Sequence, residues 1–180
     1  MATSTSFRPL TSDDLPLLAD WLGRPHVERW WREAADLKSV RCRYGPLIEG
    51  SDPSEAFLWV VDGEPIGYVQ RYLLDDNPEW RAAVAPGLGH AVGAGIDYLI
   101  GVETLIGKGL GRRMITDFVS ASWLRYPAIG AVIAAVQQDN VASWRALEGA
   151  GFHRAWTGNL ESEDPSDAGP SYLYRTRRPG

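Results

Sequence analysis

A glycine-rich turn in the second half of the chain restricts the possible folds more than any other feature. Residues 106–112 read Ile-Gly-Lys-Gly-Leu-Gly-Arg. They follow a predicted strand over 95–101 and open a predicted helix over 109–125. Glycine lets the backbone approach an anion closely, and the first turn of a helix has free N–H groups to donate. The sequence therefore predicts an α/β protein in which this turn cradles a pyrophosphate.

Two well-known phosphate-binding turns do not match these residues. A nucleotide-triphosphate loop needs serine or threonine after the lysine, and Lys108 is followed by Gly109. The dinucleotide fingerprint, started at Gly107 or Gly109, needs glycine at 112 or 114, where Arg112 and Met114 stand. Both classes are excluded on these positions.

The remaining patterns predict one domain over residues 1–180, with an ordered core of about 7–177. The predicted order is β-α-α-β-β-β-α-β-α-β-β, which implies an α/β (α+β) fold: a mixed, mostly antiparallel sheet of about seven strands with helices on both faces. Asp62-Gly63 predicts a tight hairpin turn, and Asn140 predicts a helix N-cap. Residues 75–94 are expected to form a long loop rich in glycine, proline and acidic side chains.

Composition excludes several classes of function. The chain has 18 basic and 23 acidic side chains and a net charge of −5, which argues against a nucleic-acid partner. The N-terminal residues do not resemble a signal peptide and the apolar runs are too short to span a bilayer, so a cytoplasmic protein without a membrane partner is predicted. Cys42 is the single cysteine and is expected to be buried. No metal site is expected, because the three histidines show no ligand spacing.

The glycine turn resembles the acyl-CoA loop of the Gcn5-related N-acetyltransferases, Gln/Arg-x-x-Gly-x-Gly/Ala. It matches at Gly109 and Gly111 and departs from the family at Ile106. Asn140-x-x-Ser followed by Ala-Gly-Phe at 150–152 resembles the family's second motif. The resemblance implies acetyl-CoA as cosubstrate, with Leu99 N–H polarising the thioester carbonyl. The cofactor-binding residues it implies are Leu99, Gly101, Gly107, Lys108, Gly109, Leu110, Gly111, Arg112 and Asn140.

Three further stretches resemble the aminoglycoside 6′-N-acetyltransferases of that superfamily, from about residue 7 to 176. They are 21–31 (Trp-Leu-Gly-Arg-Pro-His-Val-Glu-Arg-Trp-Trp), 63–68 (Gly-Glu-Pro-Ile-Gly-Tyr) and 95–97 (Gly-Ile-Asp). The resemblance implies acetyl transfer to a primary amine of an aminoglycoside, with Asp97 as the carboxylate that meets this amine. The residues it implies for the substrate are Trp31, Tyr44, Asp76, Glu79, Trp80, Asp97 and Asp167.

The chemistry of Asp97 agrees with that role. A carboxylate in an apolar strand is costly unless it is paired, and an ammonium group would pair it. Asp97, Leu99 and Gly101 share one face of the strand, so the carboxylate lies near the acyl-binding edge. Aspartate is a weak base, with an ordinary pKa of about 3.9, so Asp97 orients the amine or removes its proton through water. The alternative is that Asp97 is only a buried hydrogen-bond anchor.

Two departures from the family pattern keep other functions open. The family often has a proton-donating tyrosine where this chain has Leu147, and a carboxylate of the aminoglycoside enzymes falls on Ala135. One alternative is an acyltransferase for a lysine derivative in siderophore assembly, a branch that shares His26 and Trp30-Trp31. Another is a catalytically silent acyl-CoA-binding sensor. A monomer or a homodimer is expected.

Overall fold

A computed structural model describes residues 4–180 of the chain. The strands in this part of the chain are β1 (Thr5–Pro9), β2 (Glu55–Val61), β3 (Glu64–Leu73), β4 (Gly93–Ile100), β5 (Ala131–Gln137), β6 (His153–Asn159) and β7 (Pro170–Arg177). Its α-helices are α1 (Leu15–Leu22), α2 (Pro25–Trp31), α3 (Leu37–Glu49), α4 (Pro78–Leu88), α5 (Leu110–Arg125) and α6 (Val141–Gly149). Three helices precede β2 where the predicted order has two, because the segment after Arg24 forms a complete helix.

The seven strands form one sheet in the order β1-β2-β3-β4-β5-β7-β6. The pairs β1–β2, β2–β3, β5–β7 and β6–β7 are antiparallel, and β4–β5 is parallel. The predicted mixed, mostly antiparallel sheet of the α/β fold is therefore confirmed.

The hairpin and capping predictions are confirmed in detail. Asp62 and Gly63 both have positive φ, 50° and 89°, which is the geometry of the two-residue turn that fits the twist of antiparallel strands. Asn140 caps α6, since its Oδ1 accepts a hydrogen bond from the backbone N–H of Ser143 at 3.2 Å. Glycine and asparagine thus begin or end elements where their backbone preferences favour it.

Helix α4 corrects the prediction of a long loop over 75–94. Pro78 is its first residue and Glu79 lies in its first turn, both favourable at a helix start. Near its end a Cβ on Gly87 would lie 2.9 Å from Leu173 Cβ, so glycine lets the helix pack closely on β7. Arg175 donates to the last carbonyls, those of Gly87 at 2.9 Å and Leu88 at 3.0 Å. Tertiary contacts therefore hold a helix whose composition is typical of a loop.

The backbone contacts divide the chain into two compact units. The first contains the residues up to Arg71 together with Tyr98–Ile106, and the second contains Tyr72–Asp97 and Gly107–Gly180. Both are built from separate stretches of chain, and the single domain over 1–180 stays a prediction.

Each unit has its own apolar core. The core of the first unit is formed by Leu10, Leu15, Leu18, Trp21, Leu22, Val27, Val40, Tyr44, Leu58, Tyr68 and Leu99. The core cluster of the second unit includes Leu74, Val84, Leu88, Ala131, Ile133 and Leu173. Burying each large apolar side chain contributes about 1.5–3 kcal/mol to stability.

Two further observations concern the single cysteine and the length of the helices. Cys42 is exposed on α3, so the expectation of a buried cysteine is wrong: the core-facing positions of that helix are taken by Val40 and Tyr44. In the described part of the chain no helix is long and apolar enough to cross a membrane.

Candidate functional site

Asp97 lies on β4 in the second unit, where an aromatic side chain contacts it. The hydroxyl of Tyr72, on β3, donates a hydrogen bond to the Asp97 carboxylate. The Tyr72 ring lies directly over Gly95, because a Cβ on that glycine would be 2.2 Å from Tyr72 Cε2. Burial, reinforced by the charge of Asp97, raises the pKa of Tyr72 well above its usual value. Tyr72 is therefore a neutral donor beside the predicted catalytic carboxylate.

Asp167 places a second carboxylate near Asp97 and Tyr72. It ends a 3-10 turn over Pro165–Asp167 and accepts a hydrogen bond from Ser162 Oγ at 2.7 Å. Its pKa is raised to about 6, chiefly by burial and also by the negative charges of Asp97 and Asp164. Asp97 and Asp167 are thus close enough to repel each other, and a cation between them would relieve that repulsion.

The other acidic residues predicted for the substrate lie around the start of α4. Asp76 and Glu79 are both exposed. Asp75, their neighbour, forms an ion pair with Arg81 at 2.6 Å and is neutralised by it. Trp80 packs against the apolar core of the second unit, and its buried Nε1 has no hydrogen-bond acceptor with good geometry within residues 4–180.

The predicted aromatic contacts of the first unit form an edge-to-face row. Tyr68 lies between the others, with ring centroids 5.7 Å from Trp31 and 5.6 Å from Tyr44. Trp31 is half-buried, whereas Tyr44 is only 1% exposed and its hydroxyl donates to Glu33 at 2.8 Å. Trp31 therefore keeps part of its side chain accessible, whereas Tyr44 is buried against Tyr68.

The glycine turn has the backbone geometry that anion binding requires. Gly107 and Gly109 both have φ of +78°, in the left-handed region, and Gly109 caps α5. The helix runs for 16 residues from Leu110, so its N-terminus carries a full dipole. A Cβ on Gly111 would lie 3.7 Å from Ala146 Cβ, in ordinary contact with α6.

The side chains of the turn and the second motif are placed as follows. Lys108 and Arg112 are exposed beside the turn. The side-chain oxygen of Asn140 is used in capping α6, which leaves its NH₂ group as a donor.

The backbone groups of Gly101 are already bonded inside the first unit. Its N–H donates to Ile66 O at 2.9 Å, and its carbonyl accepts from Arg24 Nη1 at 2.8 Å. A Cβ on Gly101 would lie 2.1 Å from Trp21 Cδ2, so this glycine is required by packing. Only the second lone pair of its carbonyl oxygen is left to accept from a ligand.

The parallel ladder between β4 and β5 is short. Its register runs from Gly93–Ala131 to Gly95–Ile133. Within the described chain, the part of β4 that carries Asp97 and Leu99 lies beyond this ladder.

No metal site appears beside these carboxylates. Within residues 4–180, no three His, Cys, Asp or Glu side chains come together in a way that could hold a metal ion.

Comparison with known proteins decides the family. A family model described as an acetyltransferase (GNAT) domain matches residues 11–160. The chain belongs to the GNAT acetyltransferases. This confirms the resemblance carried by the glycine turn and by the Asn140 motif.

The GNAT relatives cover nearly the whole chain. Aminoglycoside N(6′)-acetyltransferase type 1 of Klebsiella pneumoniae is 30% identical over 181 residues, covering 97% of this chain and 84% of the relative. The crystal structure of aminoglycoside acetyltransferase AAC(6′)-Ib with coenzyme A has a TM-score of 0.80 and 29% identity, covering 97% of this chain and 95% of that one. A structure of AAC(6′)-Ib with coenzyme A and kanamycin has a TM-score of 0.80 and 28% identity, with the same coverage.

Leu147 departs from the GNAT pattern and Ala135 from that of the aminoglycoside enzymes, and the structure shows the surroundings of both. Leu147 on α6 is fully buried and has no proton to donate. Ala135 on β5 packs against the apolar core of the second unit. At both positions an apolar side chain contributes to packing where the related enzymes have a polar group.

Tyr72 contacts the predicted catalytic carboxylate, and the sequence did not single it out. Tyr68 and Tyr72 alternate toward one face of β3, a pattern equally typical of a core. The glycine at 95, in an otherwise apolar strand, is the signal that a large ring lies against β4.

Proposed function

We propose that this GNAT protein is an aminoglycoside 6′-N-acetyltransferase, which moves the acetyl group of acetyl-CoA to the 6′-amine and so confers resistance. The observation that carries the proposal is the pair of neighbouring carboxylates, Asp97 and Asp167, with aromatic rings around them. Two carboxylates that repel each other favour a ligand with several ammonium groups, and aminoglycosides are polycations. The named relatives support the choice of substrate.

We assign acetyl-CoA to the glycine turn and to the end of β4. The backbone N–H groups of 107–112 and the positive end of α5 would hold the pyrophosphate, with Lys108 and Arg112 beside them. Asn140 would donate its NH₂ group to the cosubstrate. Leu99 N–H would polarise the thioester carbonyl, and the Gly101 carbonyl would accept from the pantetheine arm. No metal is required in this reaction.

The reaction would be a direct attack in a ternary complex. Asp97 orients the ammonium group of the substrate and takes its proton, directly or through water. The neutral amine nitrogen then bonds to the thioester carbonyl carbon, the carbon–sulfur bond breaks, and coenzyme A leaves as a thiolate. Because Leu147 cannot donate, the thiolate would receive its proton from water or be stabilised by backbone dipoles.

The remaining substrate contacts are assigned by chemistry. In the second unit, Asp167 would bind a second ammonium group, Asp76 and Glu79 would attract the polycation, and Trp80 would pack against a sugar ring. In the first unit, Trp31 would present its ring to the substrate, supported by Tyr44 through Tyr68. We also propose that the protein is cytoplasmic. It would be a monomer or a homodimer, and light scattering would distinguish the two.

A coupled thiol-release assay tests the function. The purified chain is given acetyl-CoA and kanamycin or tobramycin, and a thiol-detecting dye reports free coenzyme A, while NMR of the product locates the new amide. We expect turnover at the 6′-amine and at least about a hundredfold loss with Asp97→Asn, because positioned acid–base groups contribute about 10²–10⁴-fold. Asp13→Asn, at an exposed position near the N-terminus, is the matched control.

The alternatives have their own outcomes in the same assay. Thiol release with a hydroxylated lysine derivative, and none with any aminoglycoside, would indicate the siderophore-type acyltransferase. Tight acetyl-CoA binding without thiol release on either substrate would indicate a silent sensor.

A further inference from the structure

The position of Tyr72 is determined by an unusual contact with the neighbouring strand. A Cβ on Gly95 would lie 2.2 Å from Tyr72 Cε2 and 2.6 Å from the Tyr72 hydroxyl oxygen. Any side chain at 95 would therefore displace the ring. Because residues two apart on a strand face the same side, the ring lies on the face of β4 that carries Asp97. Gly95 therefore leaves a space, the seat of the Tyr72 ring, from which the hydroxyl can reach the Asp97 carboxylate.

Three groups surround the hydroxyl. It donates to Asp97, it lies close to the Trp80 side chain, and the charge of Asp167 acts on it from the loop before β7. Trp80 Nε1 is buried and makes no hydrogen bond of good geometry within residues 4–180. Of the three groups, Asp97 is the one that accepts a hydrogen bond from the hydroxyl.

We propose that Tyr72 is a positioning residue for Asp97. Its hydroxyl, fixed by the seat on Gly95, occupies one carboxylate oxygen and leaves the other aimed at the amine to be acetylated. The proposal deepens the proposed function, on which it rests. A donated hydrogen bond would stabilise the charged form of the Asp97 carboxylate against the neighbouring charge of Asp167.

The substitution Tyr72→Phe removes the donor and keeps the ring on its seat. We expect kcat to fall about tenfold, the usual cost of a lost hydrogen bond to a charged group, while KM for acetyl-CoA stays within about twofold. The acid limb of the pH–rate profile moves up by about one pH unit, because a carboxylate that has lost a donor takes up a proton more easily.

The charged and titratable neighbours of Asp97 affect how this profile is interpreted. Tyr72 on β3 and Asp167 both interact with Asp97, and Asp167 is itself influenced by Ser162 and Asp164. Tyr72→Phe leaves the three loop residues unchanged, so a shift of the acid limb reports the lost hydroxyl.

Tyr174→Phe is the matched control, because it also removes a tyrosine-to-carboxylate hydrogen bond in the same unit. The Tyr174 hydroxyl donates to Glu148 at 2.8 Å, and neither residue is assigned a role in catalysis or binding. We expect it to leave the position of the acid limb unchanged. A shift of equal size in both variants, or in neither, would overturn the positioning role.

A double-mutant cycle tests the Tyr72–Asp97 contact without any substrate. Urea midpoints are measured for Tyr72→Phe, Asp97→Ala and the double variant. We expect the two single shifts to be non-additive by about 0.5 M urea, as for a hydrogen bond to a charged group. Additive shifts would overturn the proposal even if the enzyme acetylates aminoglycosides. An inactive wild type with a non-additive cycle would instead remove the proposed function and leave the contact established, which separates the two failures.

Discussion

Replacing Asp167 tests whether its buried charge lowers the free energy of unfolding, as its raised pKa implies. The carboxylate is partly buried near Asp97 and Asp164, and its pKa is raised to about 6. Asp167→Asn removes the charge and keeps an oxygen that can accept from Ser162 Oγ, now 2.7 Å from the carboxylate. We therefore expect the variant to unfold at higher urea concentration than the wild type above pH 6, and to bind aminoglycoside less tightly.

The magnitude follows from the two pKa values. A rise from the ordinary 3.8 to about 6 corresponds to about 3 kcal/mol for a fully desolvated group. Because Asp167 is partly exposed, solvent screening reduces the expected gain to about 1–2 kcal/mol. The folded state holds the proton more tightly than the unfolded state, so its stability falls as the pH rises from about 4 to about 6. The extra stability of Asp167→Asn is therefore absent near pH 4 and fully present at pH 8.

Urea unfolding at about pH 4.5, 6 and 8, values that span the titration of Asp167, measures the stability difference between the variant and the wild type. Asp139→Asn is the control, because it makes the same chemical change at an exposed position. In thiol-release kinetics, we expect Asp167→Asn to raise KM for the aminoglycoside and leave KM for acetyl-CoA unchanged. A stability gain that is equal at all three pH values, or a loss at pH 8, would refute the argument that burial beside two carboxylates raises this pKa.

Substitutions at four glycines give further predictions. Gly109→Ala places a side chain at φ of +78°, so we expect KM for acetyl-CoA to rise about fivefold to tenfold, from a strain of about 1–2 kcal/mol; Gly109→Asn should be milder, and Gly151→Ala should lower the urea midpoint without changing KM. Gly101→Ala drives a Cβ to 2.1 Å from the Trp21 ring and should lower the free energy of unfolding by about 1–3 kcal/mol. By contrast, Gly45→Ala, on α3 with no atom within 4 Å, should raise it by about 0.5–1 kcal/mol; equal effects at 101 and 45 would contradict the packing argument.

Local patterns predicted the parts of the fold that depend on neighbouring residues. The hairpin at Asp62-Gly63 and the cap at Asn140 follow from backbone preferences, and the sheet class follows from the order of apolar segments. Helix α4 was missed because Pro86 and Gly87 resemble a loop, whereas contacts with Leu173 and Arg175 hold the end of the helix. Such contacts come from residues far along the chain and leave no local pattern.

The candidate site was predictable where motifs carry it. The glycine turn and Asp97 could be named from the sequence. The burial of Tyr44 could not, since a tyrosine at helical spacing fits a core and a pocket equally well. The role proposed for Tyr72 depends on a ring packed over Gly95 on another strand, which no spacing in one segment reveals.

The two carboxylates of the site are held in different ways, and this has an evolutionary consequence. Asp97 is built into β4, whereas Asp167 lies on a loop braced by its own short-range bonds: Ser162 to Asp167, and Ser166 to Asp164 at 2.7 Å. One side-chain bond, from Gln137 Nε2 to Ser166 O at 2.6 Å, ties this loop to β5. Mutation can therefore change this loop while leaving intact the strand that bears the carboxylate proposed to meet the amine. A descendant of this protein can change its choice of cation without rebuilding its chemistry.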